Sequence, residues 1–205
     1  MDIEAKGLDH KALNEAIRAA GPVCRIRGCM GQRFIGAGMS GRSVEIDGVP
    51  GNALGAYLGG GCITVHGNAQ DAVGDTMNSG SIIIRGSVGD TAGYAMRGSF
   101  LGEYQAGGTI LVLGLHTDGK PIAGYFPCTG QHGGRVIFRG DVSALRFPLQ
   151  VTPHPASEEE LALLRPLVER WCALFGGDAV ALLQGPFTVA TPDTGNPYRQ
   201  MYAAN

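Results

Sequence analysis

The side chains best suited to covalent chemistry lie in GYFPCTGQHGG (124–134), where Cys128 precedes His132 by four residues. A thiolate beside an imidazole is reactive, because the imidazole can take the thiol proton. Acyl transfer also needs a third group to orient the base, and the neighbouring sequence offers none. Packing at a chain corner is the plainer reading of this pair. The other histidines, His10, His66, His116 and His154, stand apart from one another and from any evident Ser or Cys nucleophile. Cys24, Cys29, Cys62, Cys128 and Cys172 form an odd, scattered set, which suits neither a disulfide framework nor the tight spacings of zinc and iron–sulfur sites. Asp71, Asp75 and Asp90 recur among glycines, as in calcium-binding repeats, but the dense Gly-Gly-x-Gly-x-Asp code is missing. Aspartates that bond to their own turns account for them more simply.

Two strings match motifs by letter alone. GAGMSG (36–41) fits G-x-G-x-x-G, yet RSVEIDG follows it. A dinucleotide fingerprint needs a helix there, so that the pyrophosphate meets the helix N-terminus. Asp193-Thr194-Gly195 matches an aspartic-protease triplet, a chemistry that needs two such carboxylates facing each other. The chain has one, in a Pro-flanked tail. No catalytic, cofactor-binding or metal-ligating residue is therefore assigned.

The elements around these residues are set by glycine. The chain has 34 Gly in 205 residues, more than twice the usual share of roughly 7%. Gly36, Gly55, Gly74 and Gly93 follow one another at 19-residue steps, as do Gly48, Gly67 and Gly86. Between them lie SVEIDG (43–48), CITVHG (62–67) and SIIIRG (81–86), and at looser spacing TILVLG (109–114, closing on Gly114) and RVIFRG (135–140, closing on Gly140). Val44 and Ile46, Ile63 and Val65, Ile82 and Ile84, Ile110 and Val112, and Val136 and Phe138 share one phase, the mark of strands with one buried face. One short strand per 19 residues is too little for a propeller blade or a helical-pair repeat. The expected fold is all-β: a single-stranded right-handed parallel β-helix, or solenoid. These nine glycines are its structural repeat positions, serving corners where φ turns positive. The register breaks once, since Gly93 reaches Gly102 in nine residues. Either a repeat is lost there, near Arg97-Gly98, or a stretch of sequence is missing.

The ends are helical. Residues 8–21 read as a short helix with Asp9 as N-cap and an apolar face of Leu13, Ala16, Ile17 and Ala20. Residues 157–177 carry a capping box, Ser157 with Glu160, and an apolar stripe from Leu161 to Phe175 that Pro166 should kink or split. The later strands turn apolar on their outer phase, at Ile83, Leu111, Leu113 and Ile137. The C-terminal helix is expected to pack there; the rival is a homo-oligomer formed through that lateral face. The whole reads as one domain over 1–205, with the repeat region at 34–141 and an extended tail at 185–205.

Charge is nearly balanced, 16 Lys+Arg against 18 Asp+Glu, with no basic run, so nucleic acid is not an expected partner. No apolar run approaches the roughly 20 residues of a membrane span. The early residues are polar and acidic, unlike a secretory signal, and a cytoplasmic location is expected.

The pattern GNALGAYLGGGCITVHGNAQDAVGDTMNSGSIIIRGSVGDTAGYAMRG, followed by GSFLGEYQAGGTILVLGL, resembles the GXGXG family: the C-terminal domain of the glutamate synthase large subunit, which also occurs as a free-standing subunit. The resemblance covers roughly residues 34–141, and GPFTVATPDTGNPYRQMY resembles the ends of the free-standing forms. It implies a non-catalytic scaffold in a glutamine-dependent, glutamate-forming oxidoreductase, with no cofactor on this chain. FMN, an iron–sulfur cluster and the glutaminase cysteine would belong to the partners, a glutaminase and an FMN-binding synthase subunit. Similar domains form the C subunit of formylmethanofuran dehydrogenase and related formyltransferase/hydrolase complexes, which is the alternative reading. An independent enzyme built on Cys128 and His132 is a third.

Overall fold

A computed structural model describes residues 1–89, 101–115, 117, 121–124 and 126–193. Its elements run β1 (Asp2–Glu4), α1 (His10–Ala19), β2 (Val23–Met30), β3 (Arg42–Val49), β4 (Gly59–Val65), β5 (Ser79–Ile84), β6 (Ala106–Val112), β7 (Gly133–Arg139), β8 (Val151–Pro155), α2 (Glu158–Phe175), α3 (Ala179–Leu183) and β9 (Phe187–Pro192). The strands make one nine-stranded sheet in the order β1-β2-β3-β4-β5-β6-β7-β9-β8. Neighbours are parallel from β1 to β7, while β9 runs antiparallel to both β7 and β8.

This corrects the expectation of an all-β parallel β-helix, or solenoid. The structure is a mixed sheet of α/β type with three helices. The reason for the error is physical. A strand repeating at a fixed interval shows that successive strands run parallel and pair in register. It leaves open how the chain between them travels, and it says nothing of β8 and β9, which lie outside the repeat, with β9 running antiparallel to both of its neighbours.

The register aligns the aliphatic residues across strands. Val44, Ile63, Ile82, Ile110 and Val136 pair in turn across β3 to β7, and so do Ile46, Val65, Ile84, Val112 and Phe138. All ten are buried in one core. Each such side chain taken out of water contributes about 1.5–3 kcal/mol. On the opposite face Ile83, Leu111, Leu113 and Ile137 are also buried, in a second cluster with Leu164, Val168 and Trp171 of α2 and Phe187 and Val189 of β9. The apolar lateral face is thus filled from within the same chain.

The helices are closed by side chains. Asp9 Oδ1 accepts from the backbone N–H groups of Lys11 and Ala12, both at 2.9 Å, and α1 buries Leu13 and Ile17. At α2, Ser157 Oγ accepts from Glu160 N while Glu160 accepts from Ser157 N. Pro166 lies inside α2 without splitting it. Proline removes one backbone donor, and the buried Leu164 and Val168 on either side hold the helix in line.

Candidate functional site

Loops join the parallel strands, and they stack as closely as the strands pair. Gly55 N donates to Ile35 O, Gly74 N to Leu54 O, and Gly102 N to Val73 O, each at 2.8 Å, and Cys128 N donates to Leu101 O at 2.7 Å. These bonds define one column: Gly36, Gly55, Gly74, Gly102, Cys128. Every member has a positive φ, from 65° to 69°. At Gly55 the reason for glycine is double. Its φ is +65°, and a Cβ would sit 2.6 Å from Cδ1 of Ile82 in the strand ladder of the next tier.

Cys128 therefore occupies a glycine position. Its φ is 67°, and its side chain is fully buried in the main core. The strand ladder explains why a side chain fits here: beyond Val136 the next partner is Ala190 of β9, with no isoleucine in the way. Burial pushes the Cys128 thiol far above the usual range. His132 lies on the last tier with its Nδ1 3.2 Å from the carbonyl oxygen of Gly130, and no hydrogen bond joins it to Cys128. The arrangement is the reverse of an activated cysteine, which needs exposure and a neighbouring positive charge. Thiol labelling of the native protein at pH 8 is expected to modify the partly exposed Cys172 and to spare Cys128 until the chain is unfolded; a native-state adduct on Cys128 would contradict this placement.

The remaining singled-out residues are dispersed. Gly48 lies near the end of β3; Gly67 and Gly86 follow β4 and β5, and Gly114 and Gly140 follow β6 and β7. Gly93 lies outside the described residues, as do Asp90, His116, Arg97, Gly98, Thr194 and Gly195. In the column, the successor of Gly74 is Gly102, a step of 28 residues rather than 19, and β5 pairs directly with β6. The GAGMSG string is the first loop of the stack and leads into β3. A cleft of about 270 Å³ between it and α1 is lined by Asn14, Arg18, Ser40 and Arg42. Arg42 is engaged there as a cap on α1, donating to the carbonyls of Ile17 and Gly21.

A polar group made by β2, β3 and the residues just past β4 and β5 packs against α2. Arg25 makes two hydrogen bonds to Asp47, of 2.7 and 2.9 Å, and this pairing holds the Asp47 carboxyl below its usual range. Arg85 Nη1 lies 3.1 Å from His66 Nε2, and the His66 ring stacks on Phe175 with centroids 4.6 Å apart. Burial, and then the Arg85 charge, push the His66 pKa down, so the imidazole is neutral. A neutral ring held by stacking and an arginine has no substrate-facing partner. It serves to seat α2.

The sequence did not flag Gln105 and Gln131, which are fully buried at the column positions of Met39, Leu58 and Met77. Gln131 Nε2 donates to Gln105 Oε1 at 3.1 Å, and Gln105 Nε2 donates to Gly107 O at 2.9 Å. Their shared spacing from Gly102 and Cys128 was the signal available. Among the described residues no three His, Cys, Asp or Glu side chains gather as metal ligands. No helix among them is long and apolar enough to cross a membrane.

The chain is 31% identical over 109 residues to an uncharacterized protein of Methanocaldococcus jannaschii, a match covering 50% of this chain and 42% of that protein. The chain thus spans less than half the length of this relative. A family model described as the GXGXG motif, that of the C-terminal region of the glutamate synthase large subunit, matches residues 9–97. This segment takes in α1, the first loops of the glycine column and strands β2 to β5. Over residues 9–97 the chain is similar to the GXGXG motif family.

Proposed function

We propose that this chain is a non-catalytic structural subunit of a glutamate synthase-like oxidoreductase, in which a glutaminase and an FMN-binding synthase subunit supply the chemistry. FMN and the iron–sulfur cluster would reside in those partners. The observation that carries the reading is the GXGXG match over residues 9–97. The fate of Cys128 supports it, because this cysteine, four residues before His132, is committed to packing inside the core. A free-standing GXGXG subunit would space and orient its partners.

The test is purification of the tagged chain from its native source, with native mass spectrometry and flavin absorbance on the eluate. A glutaminase and an FMN protein in fixed ratio to the chain are expected. A molybdopterin- or tungsten-containing partner would point instead to a formylmethanofuran dehydrogenase-type complex. Recovery of the chain alone, with hydrolytic activity of its own, would overturn the reading.

A further inference from the structure

Two arginines line the cleft between α1 and the first loop of the stack, Arg18 from the last turn of α1 and Arg42 from the start of β3. No aspartate or glutamate lines it. Neither arginine forms an ion pair among the described residues. Arg42 uses Nη1 on the carbonyl oxygens of Ile17 and Gly21. Its Nε and Nη2, and the whole Arg18 guanidinium, make no hydrogen bond among the described residues. The pair stands at the C-terminal end of α1, where a helix dipole amounts to roughly half a negative charge. One arginine more than offsets that. The second leaves the cleft with surplus positive charge and free donors.

The walls of the cleft are fixed. Asn14 Nδ2 donates to His10 O in α1 at 2.8 Å and to Phe34 O in the loop at 2.9 Å, while its Oδ1 accepts from Gly36 N at 3.0 Å. Ile17 and Met39, also in the lining, are buried in the main core. Gly38 keeps the space open. Gly38, Tyr57, Thr76 and Tyr104 hold one place in successive loops, since Gly38 N donates to Ala56 O, Tyr57 N to Asp75 O, Thr76 N to Glu103 O and Tyr104 N to Thr129 O. All four have φ between 49° and 65°. Three of them carry side chains, so the backbone alone does not demand glycine. The first loop, which borders the cleft, has none there, and a Cβ at Gly38 would meet nothing within 4 Å.

The volume of about 270 Å³ lies just below the roughly 300–1,000 Å³ of small-molecule sites, so the occupant is small. A guanidinium fork matches the paired oxygens of a phosphate or carboxylate group. We propose that this cleft binds a small oxyanion, a phosphate or carboxylate group on a small molecule, held between Arg18 and Arg42. The site is built from this chain alone and does not depend on the scaffold reading.

The test is titration calorimetry of the full chain with inorganic phosphate and, separately, with succinate, at about 0.15 M ionic strength. Saturable binding of at least one probe is expected, and the preferred probe tells phosphate from carboxylate. That probe should also raise the melting temperature, as a ligand of the folded state does. Arg18 is exposed and bonded to nothing described, so Arg18→Gln should leave the ligand-free melting temperature unchanged while weakening binding at least tenfold. Arg165→Gln, which removes equal charge from α2, should keep binding within twofold. Gly38→Thr places in the first loop the residue that the third carries, and it should fill the cleft and abolish binding. Absence of binding by both probes, equal binding by the Arg18→Gln and Arg165→Gln variants, or undiminished binding by Gly38→Thr would overturn the proposal.

Discussion

Gly48→Ala is expected to destabilise the protein by about 2–5 kcal/mol, the sum of a left-handed backbone cost near 1–2 kcal/mol and an overpacking cost near 1–3 kcal/mol. Gly48 sits at φ +120° opposite Cys29, where the β2–β3 register slips. A Cβ there would strike the backbone carbonyl oxygen of Cys29. A flexible side chain could swing away from such a contact, but a carbonyl held in a sheet cannot. Gly38→Ala is the control, because its φ is +65° and no atom lies within 4 Å of the added carbon. It should cost only the backbone share, about 1–2 kcal/mol. Urea unfolding followed by far-ultraviolet circular dichroism measures both. Equal, small losses would show that Gly48 is not closely packed against β2.

Trp171→Ala carries the second large effect, about 3–5 kcal/mol. Trp171 is 2% exposed at the centre of the cluster that joins α2 to Ile83, Leu111, Leu113 and Ile137 of the sheet. It also lies between the Arg85 guanidinium, 5.9 Å from its ring, and Phe175, whose ring centroid is 5.7 Å away. Its indole nitrogen is buried without a hydrogen-bond partner. Trp171→Phe keeps most of the apolar contact and removes that unpaired donor, so it should cost well under half as much. The chain has a single tryptophan. Unfolding must therefore be followed by circular dichroism, and a Trp171→Ala variant as stable as the parent would mean that α2 is not anchored on this face.

Some of this was legible in the residues themselves. The alternation of Val44 with Ile46 and of Ile82 with Ile84 marks one buried face, and each of these side chains is buried. Asp9 and the Ser157–Glu160 pair mark helix starts because their chemistry is local. What escaped the sequence depends on distant partners. A 19-residue period reports how strands pair and does not report the path between them, so a solenoid was inferred where the structure has a mixed sheet. Packing is the plainer reading of Cys128 from the sequence too, but its place in the glycine column is not legible there, because Ala190, the residue that leaves room for its side chain, lies 62 positions away and reaches it only through the antiparallel pairing of β9. Counting by 19 also selected Gly93 for the fourth place in the column, which hydrogen bonding gives to Gly102.

In the proposed role the chain supports catalysis by its partners without performing it. The most direct measurement is glutamine-dependent glutamate formation by the complex that co-purifies with it, assayed with the chain present, with the chain removed, and with the chain carrying Cys128→Ser and His132→Ala. The account predicts that removal uncouples glutamine hydrolysis from glutamate formation, while the double variant, once folded, restores the coupled activity in full. Loss of activity with the double variant despite intact assembly would contradict it.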